Sequence, residues 1–192
     1  MPLRMTAVTF ILGLLVVFGV IIGLLLVFND GDEDKPDFLL ERCDQLVPLR
    51  ISLTFGGGET SPSSLEAYFQ QIESLVATID DRSEAQVVTS STQVLCSWAL
   101  VLNDTAEGLD PIDPPKDAAD AHQDLVDAIN EGAAELAALA DEYPNVGSLD
   151  EASTLRNASE EMRAANGRAR EACAALEQIA NDNGIEVELE LC

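Results

Sequence analysis

The sequence predicts a mainly α-helical protein, in which an N-terminal transmembrane helix is followed by an antiparallel bundle of the four-helix type. Two observations predict this fold. Residues 7–28 form one uninterrupted apolar run, and the chain beyond residue 37 repeats its apolar side chains at the i, i+3, i+4, i+7 spacing of amphipathic helices. We therefore divide the 192 residues into a short cytoplasmic N-terminus (1–6), a transmembrane signal anchor (7–28), an acidic linker (29–37) and an extracytoplasmic helical domain (38–192).

The apolar run of residues 7–28 contains no charged residue and no proline. As a helix it spans roughly 33 Å, enough to cross a hydrocarbon core of about 30 Å. A core helix this apolar on every face would need complete enclosure, and a cleavable signal peptide normally has an apolar region of about 7–15 residues with small residues at the cut. Because this run is longer and ends in Leu26, Val27 and Phe28, an uncleaved signal anchor fits better.

The charges that flank the apolar run predict its orientation. Arg4 lies on the N-terminal side, whereas the acids begin at Asp30 on the other side. By the positive-inside rule, the N-terminus is cytoplasmic and the chain from about residue 30 onward lies outside. The predicted location is the cell membrane, with a single pass.

Within the anchor, Gly19 and Gly23 form a GxxxG pair (GVIIG). Two glycines four residues apart let a second transmembrane helix approach closely. Dimerisation or docking through this face is one interpretation, and glycines that simply face lipid are the other.

Acidic residues dominate the charge of the chain, since 35 of them face 10 basic ones and give a net charge of −25 at pH 7. Such a field repels phosphate backbones and argues against nucleic-acid binding, so cations and basic protein surfaces remain as partners. The linker weakly resembles a calcium loop, because Asp30, Asp32 and Asp34 are followed by Glu41 at the twelfth position. Lys35, however, stands where the sharp turn of such a loop requires glycine.

A short first helix is predicted before Pro48, where apolar residues recur at helical spacing. These residues are Phe38, Leu39, Cys43, Leu46 and Val47. Residues 49–55 then alternate apolar and polar side chains, which predicts a half-buried strand, although the same stretch could continue the helix past a proline kink. The tail, residues 185–191, alternates in the same way, and we predict that the two segments pair as a small two-stranded sheet on the bundle.

Later helix starts carry a capping box, in which a serine caps an amide three residues on and the Glu or Gln there reaches back. The pairs are Ser63 with Glu66, Ser83 with Gln86, and Ser148 with Glu151. A further helix is predicted to start at residues 113–115 (DPP) and to stop at Tyr143 and Pro144. The last helix is predicted to run from residue 148 to about Gly184.

Four cysteines, Cys43, Cys96, Cys173 and Cys192, all lie in the part of the chain placed outside. In an oxidising compartment they allow up to two disulfides, and all three pairings remain open. Their wide spacing excludes a CxxC redox motif, and a single histidine argues against a zinc site.

His122, the only histidine, lies beside the apolar stripe of its helix and has no Ser or Cys partner identifiable by spacing. We interpret it as a lone surface or seam histidine. Asn103 (NDT) and Asn157 (NAS) fit the N-glycosylation sequon and would face outside in this topology.

The sequence contains no recognisable catalytic constellation, and we predict neither an enzyme nor a cofactor. The anchor and the GxxxG pair favour a membrane-anchored extracytoplasmic helical binding or accessory module, a partner or subunit of a membrane complex. Its partner would be another membrane protein or a further copy of the chain. The alternative hypothesis is an extracytoplasmic ligand-sensing helical bundle that signals through a partner.

Overall fold

The computed structural model describes residues 35–47, 61–77, 79, 83, 93–187 and 189. In this part the chain forms a helical bundle, as predicted. Its α-helices are α1 (Lys35–Leu46), α2 (Leu65–Val76), α3 (Val94–Leu109), α4 (Ala119–Glu142), α5 (Leu149–Ala158) and α6 (Glu160–Asp182), and a short 3-10 helix (Lys116–Ala118) leads into α4.

The predicted transmembrane anchor, residues 7–28, lies outside the described residues, as do Gly19 and Gly23. Within the described part, none of the helices combines the length and the apolar character needed to cross a membrane.

The helices α3 and α4 pack side by side in opposite directions. Leu109, at the end of α3, shares a core cluster with Leu125 near the start of α4. Leu95, near the start of α3, shares a second cluster with Leu136 near the end of α4. The connection between them is short, as is usual for antiparallel neighbours in a bundle.

The last long helix, α6, packs against α4 and is also antiparallel to it. Leu176, late in α6, clusters with Leu125, whereas Met162, early in α6, clusters with Leu136. Gly132 lies midway along α4, where a Cβ atom would come within 3.0 Å of Met162 Cε. The absent side chain therefore lets α4 and α6 approach closely.

The two core clusters lie at opposite ends of this arrangement. We call the first the tail-side core; α2 contributes to it with Tyr68, Phe69, Ile72 and Val76. The second is the disulfide-side core, to which α1 contributes Cys43 and α3 contributes Cys96. Because α1 and α2 are short, each covers only one end of the longer helices.

The serine caps agree with the sequence analysis at one position and differ by one residue at another. Ser148 Oγ accepts the backbone N–H of Glu151 at 3.3 Å, as predicted. At the start of α2 the cap is Ser64 rather than Ser63, and its Oγ accepts the backbone N–H of Ala67 at 3.1 Å. Most of the segment after Ser83 lies outside the described residues.

The prediction of one continuous last helix from residue 148 was wrong. Ser159 has an extended backbone (ψ 131°), ends α5 and caps α6, since its Oγ accepts the backbone N–H of Met162 at 2.9 Å. Its hydroxyl also donates to Glu135 Oε1 on α4 at 2.8 Å. These two hydrogen bonds stabilise the break between α5 and α6. The break could not be predicted from a capping box, because position 162 is Met rather than Glu or Gln.

The tail after α6 does not form the predicted strand at residues 185–187 and 189, and its proposed partner, residues 49–55, lies outside the described residues. Gly184 has a positive φ of 72°, and the backbone N–H of Ile185 returns to the Ala180 carbonyl, which is a Schellman-type helix end. The backbone N–H of Leu189 then donates to Glu177 Oε1 at 3.0 Å. Ile185, Val187 and Leu189 pack directly on the tail-side core.

Candidate functional site

A disulfide joins α1 to the rest of the bundle, through Cys43 and Cys96. Their Cα atoms are 5.0 Å apart, and both side chains are buried in the disulfide-side core. Cys173 is disulfide-bonded too, and the described part contains no free cysteine. The fourth cysteine, Cys192, lies outside the described residues. A disulfide is therefore present, as predicted.

The helix α1 carries two neighbouring rows of side chains at i, i+4, i+8 spacing. One row is Leu39, Cys43 and Val47, and it packs on the disulfide-side core. The other row, which we call the α1 stripe, is Phe38, Arg42 and Leu46. Phe38 is 63 % exposed and Leu46 is 44 % exposed. Both residues fit the apolar pattern of the predicted first helix, and the charged Arg42 between them is the sequence signal that their row faces outward.

Arg42, in the middle of the α1 stripe, forms an ion pair with Asp141 near the end of α4. The pairing neutralises the one charge in the stripe. Next to it, Leu46, Ala140 and Pro144 line an apolar cleft of about 110 Å³. This volume suits one apolar side chain and is too small for most small-molecule ligands.

Two other large apolar side chains of the described part are exposed, and both lie near the same core. Tyr143 ends α4 and Leu149 begins α5, with exposures of 40 % and 52 %. Val146, in the loop between them, is buried in the disulfide-side core. Exposed apolar surface in the described residues therefore concentrates at the end of the bundle where α1 lies. Scattered exposed apolar residues are ordinary, so Tyr143 and Leu149 are not counted as part of the candidate contact surface on α1.

Charge is distributed unevenly between α1 and the residues that follow. The helix holds two basic and three acidic residues, whereas residues 47–192 hold 7 basic and 28 acidic ones. A helical wheel places the α1 acids Glu41 and Asp44 together, away from the row of Phe38, Arg42 and Leu46. The α1 stripe is thus an almost uncharged surface on a strongly acidic chain.

His122 lies in the seam between α2 and α4 and is buried, with 3 % exposure. Its Nδ1 and the hydroxyl of Tyr68 share a hydrogen bond of 3.2 Å, while Nε2 has no hydrogen-bond partner in the described part of the chain. Burial lowers the pKa of His122, and the Leu109 carbonyl and the Asp110 carboxylate oppose that change. Tyr68 belongs to the tail-side core, so the pair lies in the packed interior between α2 and α4.

Two larger clefts in the described residues are lined by charged and apolar side chains together. One, of about 360 Å³, lies where the segment before α2 meets residues 113–117 and the end of α6. The other, of about 320 Å³, lies between α4 and α6, where Glu131 pairs with Arg168 above the small side chains of Ala172 and Ala175. Around the second cleft the acids are Asp124, Asp127, Glu131 and Glu171. In the described part of the chain, no group of three or more His, Cys, Asp or Glu side chains is placed to hold a metal ion.

The two sequons differ in their surroundings. Asn103 is half-buried on α3 and donates its side-chain N–H to Glu107 Oε1 at 2.7 Å. Asn157 is exposed in the last turn of α5. Glycosylation at either position stays a prediction, and the exposed position offers the more accessible amide.

Comparisons with known proteins add no relative. No protein-family model matches the chain, and neither a curated protein nor a solved structure is significantly similar to it.

Proposed function

We propose that the chain is a membrane-anchored extracytoplasmic helical module that acts as a subunit of a membrane complex, with the α1 stripe as its contact surface. The observation that carries this proposal is the position of that stripe. Phe38 and Leu46 are exposed on the helix that follows most directly from the apolar run of residues 7–28. An exposed apolar row with a neutralised charge is what a protein contact requires and what an isolated surface helix normally avoids.

The cysteines support the proposed compartment. Disulfides form and persist outside the cytoplasm and are rare within it. The bond between Cys43 and Cys96, together with the disulfide-bonded state of Cys173, suits a domain that faces an oxidising space.

Chain length supports the proposed place of contact. Only residues 29–34 separate the apolar run from α1, and six extended residues reach at most about 20 Å. The start of α1 would therefore stay close to the membrane surface, where the extracytoplasmic part of another membrane protein is within reach.

The alternative function, a ligand-sensing bundle, is less well supported. Small-molecule pockets are usually concave, mostly apolar and about 300–1,000 Å³ in volume. Two clefts of the described part reach that size, at about 360 and 320 Å³, but charged side chains contribute to the lining of both, and the apolar cleft beside Leu46 has only about 110 Å³.

The experiment is extraction of the tagged full-length chain from membranes in mild detergent, followed by native mass measurement. We expect a complex larger than one chain, which Phe38→Ser with Leu46→Ser dissociates. The matched control removes two exposed apolar side chains at the same end, Tyr143→Ser with Leu149→Ser, and should leave the complex intact. A wild-type chain that is extracted alone as a monomer would contradict the proposed function.

A further inference from the structure

The fold presents the two N-glycosylation sequons in different ways. Each sequon joins an asparagine to a hydroxyl residue two positions later, Asn103 to Thr105 and Asn157 to Ser159. We propose that Asn157 carries an N-linked oligosaccharide in the folded protein and that Asn103 does not. The inference rests on the extracytoplasmic placement within the proposed function, because such oligosaccharides belong to secreted and outward-facing domains, and it adds a modification site.

The sequon of Asn103 lies within α3, where the helix separates its two functional groups. Each residue of an α-helix is rotated by about 100° from the last, so residues two positions apart point to different sides. Asn103 is half-buried and donates its amide N–H to Glu107. Thr105 is completely buried, and its hydroxyl donates to the Val101 carbonyl at 2.9 Å. An enzyme that binds the amide and the hydroxyl together cannot reach both in the folded helix.

An oligosaccharide attached to Asn103 before folding would crowd the packing of α3. The residues three and four positions away are its neighbours on the helix surface. Ala99, Leu100 and Ala106 are buried among these, and Glu107 is exposed. Asn103 therefore lies at the rim of a packed face, whereas an oligosaccharide is bulky and requires open surface. Chains modified at this position should fold poorly.

The sequon of Asn157 spans a helix end. Asn157 lies in the last turn of α5 and is exposed, as are Thr154 one turn before it and Ala158 after it. Ser159 then leaves the helix, with φ −63° and ψ 131°. Helical geometry therefore does not hold the two ends of this sequon on opposite faces. A bulky polar group on Asn157 would extend into solvent and displace no packed side chain.

The hydroxyl of Ser159 sets the order of events. In the folded protein it accepts the backbone N–H of Met162 at 2.9 Å and donates to Glu135 Oε1 at 2.8 Å. The group that the glycosyltransferase must bind is thus engaged in the cap of α6, so the transfer precedes closure of that cap. Asn157 takes no part in these bonds, and the modified chain can still form them.

The transfer requires a donor in which an oligosaccharide is joined through its anomeric carbon to a lipid phosphate. Nδ2 of Asn157 forms a bond to that carbon, and the bond between the carbon and the phosphate oxygen breaks. The lipid phosphate leaves with the electron pair of the broken bond, and Nδ2 loses one proton. No group is oxidised or reduced.

The test uses the full-length chain in two settings. In the first, the chain is purified from its native membranes, and mass spectrometry compares the peptides that contain Asn103 and Asn157. In the second, the wild type, Asn157→Gln and Asn103→Gln are translated with microsomes of the endoplasmic reticulum. Protease added to the intact vesicles shows whether the domain has crossed the membrane, and limited proteolysis in mild detergent then selects the folded chains.

We expect a saccharide mass on the Asn157 peptide of the native chain and none on the Asn103 peptide. Folded chains from microsomes should carry one oligosaccharide, which Asn157→Gln reduces at least tenfold and Asn103→Gln leaves unchanged. Both substitutions keep an amide and remove a sequon, so they are matched.

Three results would overturn the inference: an unmodified Asn157 in the native chain, a folded and translocated chain without oligosaccharide, or a folded chain modified at Asn103. Each of them would leave the proposed function standing, because the domain would still be protected inside the vesicles. A domain that protease digests on intact vesicles would remove both.

Discussion

The hydroxyl of Tyr68 and Nδ1 of His122 lie 3.2 Å apart in the tail-side core and join α2 to α4. Both side chains are almost fully buried, and their ring centroids are 5.9 Å apart. Burial raises the pKa of Tyr68 and lowers that of His122, so both groups stay neutral in the folded protein near pH 7. The hydrogen bond therefore joins two neutral groups. It replaces hydrogen bonds to water that the Tyr68 hydroxyl and His122 Nδ1 lose on burial.

Removing the Tyr68 hydroxyl should destabilise the domain. Tyr68→Phe keeps the ring and leaves Nδ1 of His122 buried without its partner, which costs about 1–3 kcal/mol. The measurement is urea unfolding of the full chain in mild detergent, followed by circular dichroism. Tyr143→Phe makes the same change at an exposed ring, and equal stability losses in the two variants would show that the buried bond is unimportant.

The stability of the domain should depend on pH through His122. A lowered folded-state pKa means that the unfolded chain takes up the proton first, so stability falls as the pH drops below about 6.5, the ordinary pKa of histidine. The negative charge of Asp110 raises the pKa of His122 and so reduces this loss of stability. We expect the free energy of unfolding to decline between pH 7 and pH 5.5 more steeply in the wild type than in His122→Phe. If the free energy of unfolding fell equally steeply with pH in both proteins, His122 would not be the source of the pH dependence.

Loss of the disulfide between Cys43 and Cys96 should weaken the attachment of α1. The bond closes a loop across a sequence separation of 53 residues. In the chain-entropy description, such a cross-link stabilises a fold by roughly 4 kcal/mol. Cys43→Ala with Cys96→Ala should lower the free energy of unfolding by several kcal/mol, measured by urea unfolding without reductant. An unchanged midpoint would mean that α1 is held by its apolar contacts alone.

Gly132 and Gly167 offer a matched pair of substitutions on two adjacent helices. A Cβ at Gly132 would lie 3.0 Å from Met162 Cε and 3.3 Å from Leu102 Cδ1, whereas a Cβ at Gly167 would have no atom within 4 Å. Gly132→Leu should destabilise the bundle by roughly 1–3 kcal/mol through overpacking. Gly167→Leu should stabilise it by up to about 1 kcal/mol, since leucine is the better helix former. Effects of the same sign in urea unfolding would refute the close approach of α4 to α6.

Much of the helical fold could be predicted because local chemistry sets the helix ends. Ser148 caps α5 as its capping box predicts, and α4 ends at Tyr143, next to Pro144. The break at Ser159 was missed because the bond that stabilises it reaches Glu135, 24 residues away along the chain. Long-range partners of this kind leave no periodic signal in the sequence.

The candidate site was less predictable, for a related reason. Phe38, Leu39 and Leu46 are all large apolar residues, and their apolar spacing does not show that Leu39 faces the core while Phe38 and Leu46 face outward. The alternating tail was equally ambiguous, because an extended segment packed on helices shows the same pattern as a strand. The four cysteines allowed three pairings, and the proximity of α1 to α3 selects one of the bonds.

The most direct test of the account is thiol alkylation of fractionated cells that express the full-length chain, with a maleimide large enough to shift its mobility on a gel. We predict that the chain is found in the membrane fraction and shows no shift before reduction. After reduction and denaturation all four cysteines should react. A chain recovered from the soluble cytosol with four thiols reactive before reduction would contradict the anchor, the compartment and the proposed complex at once.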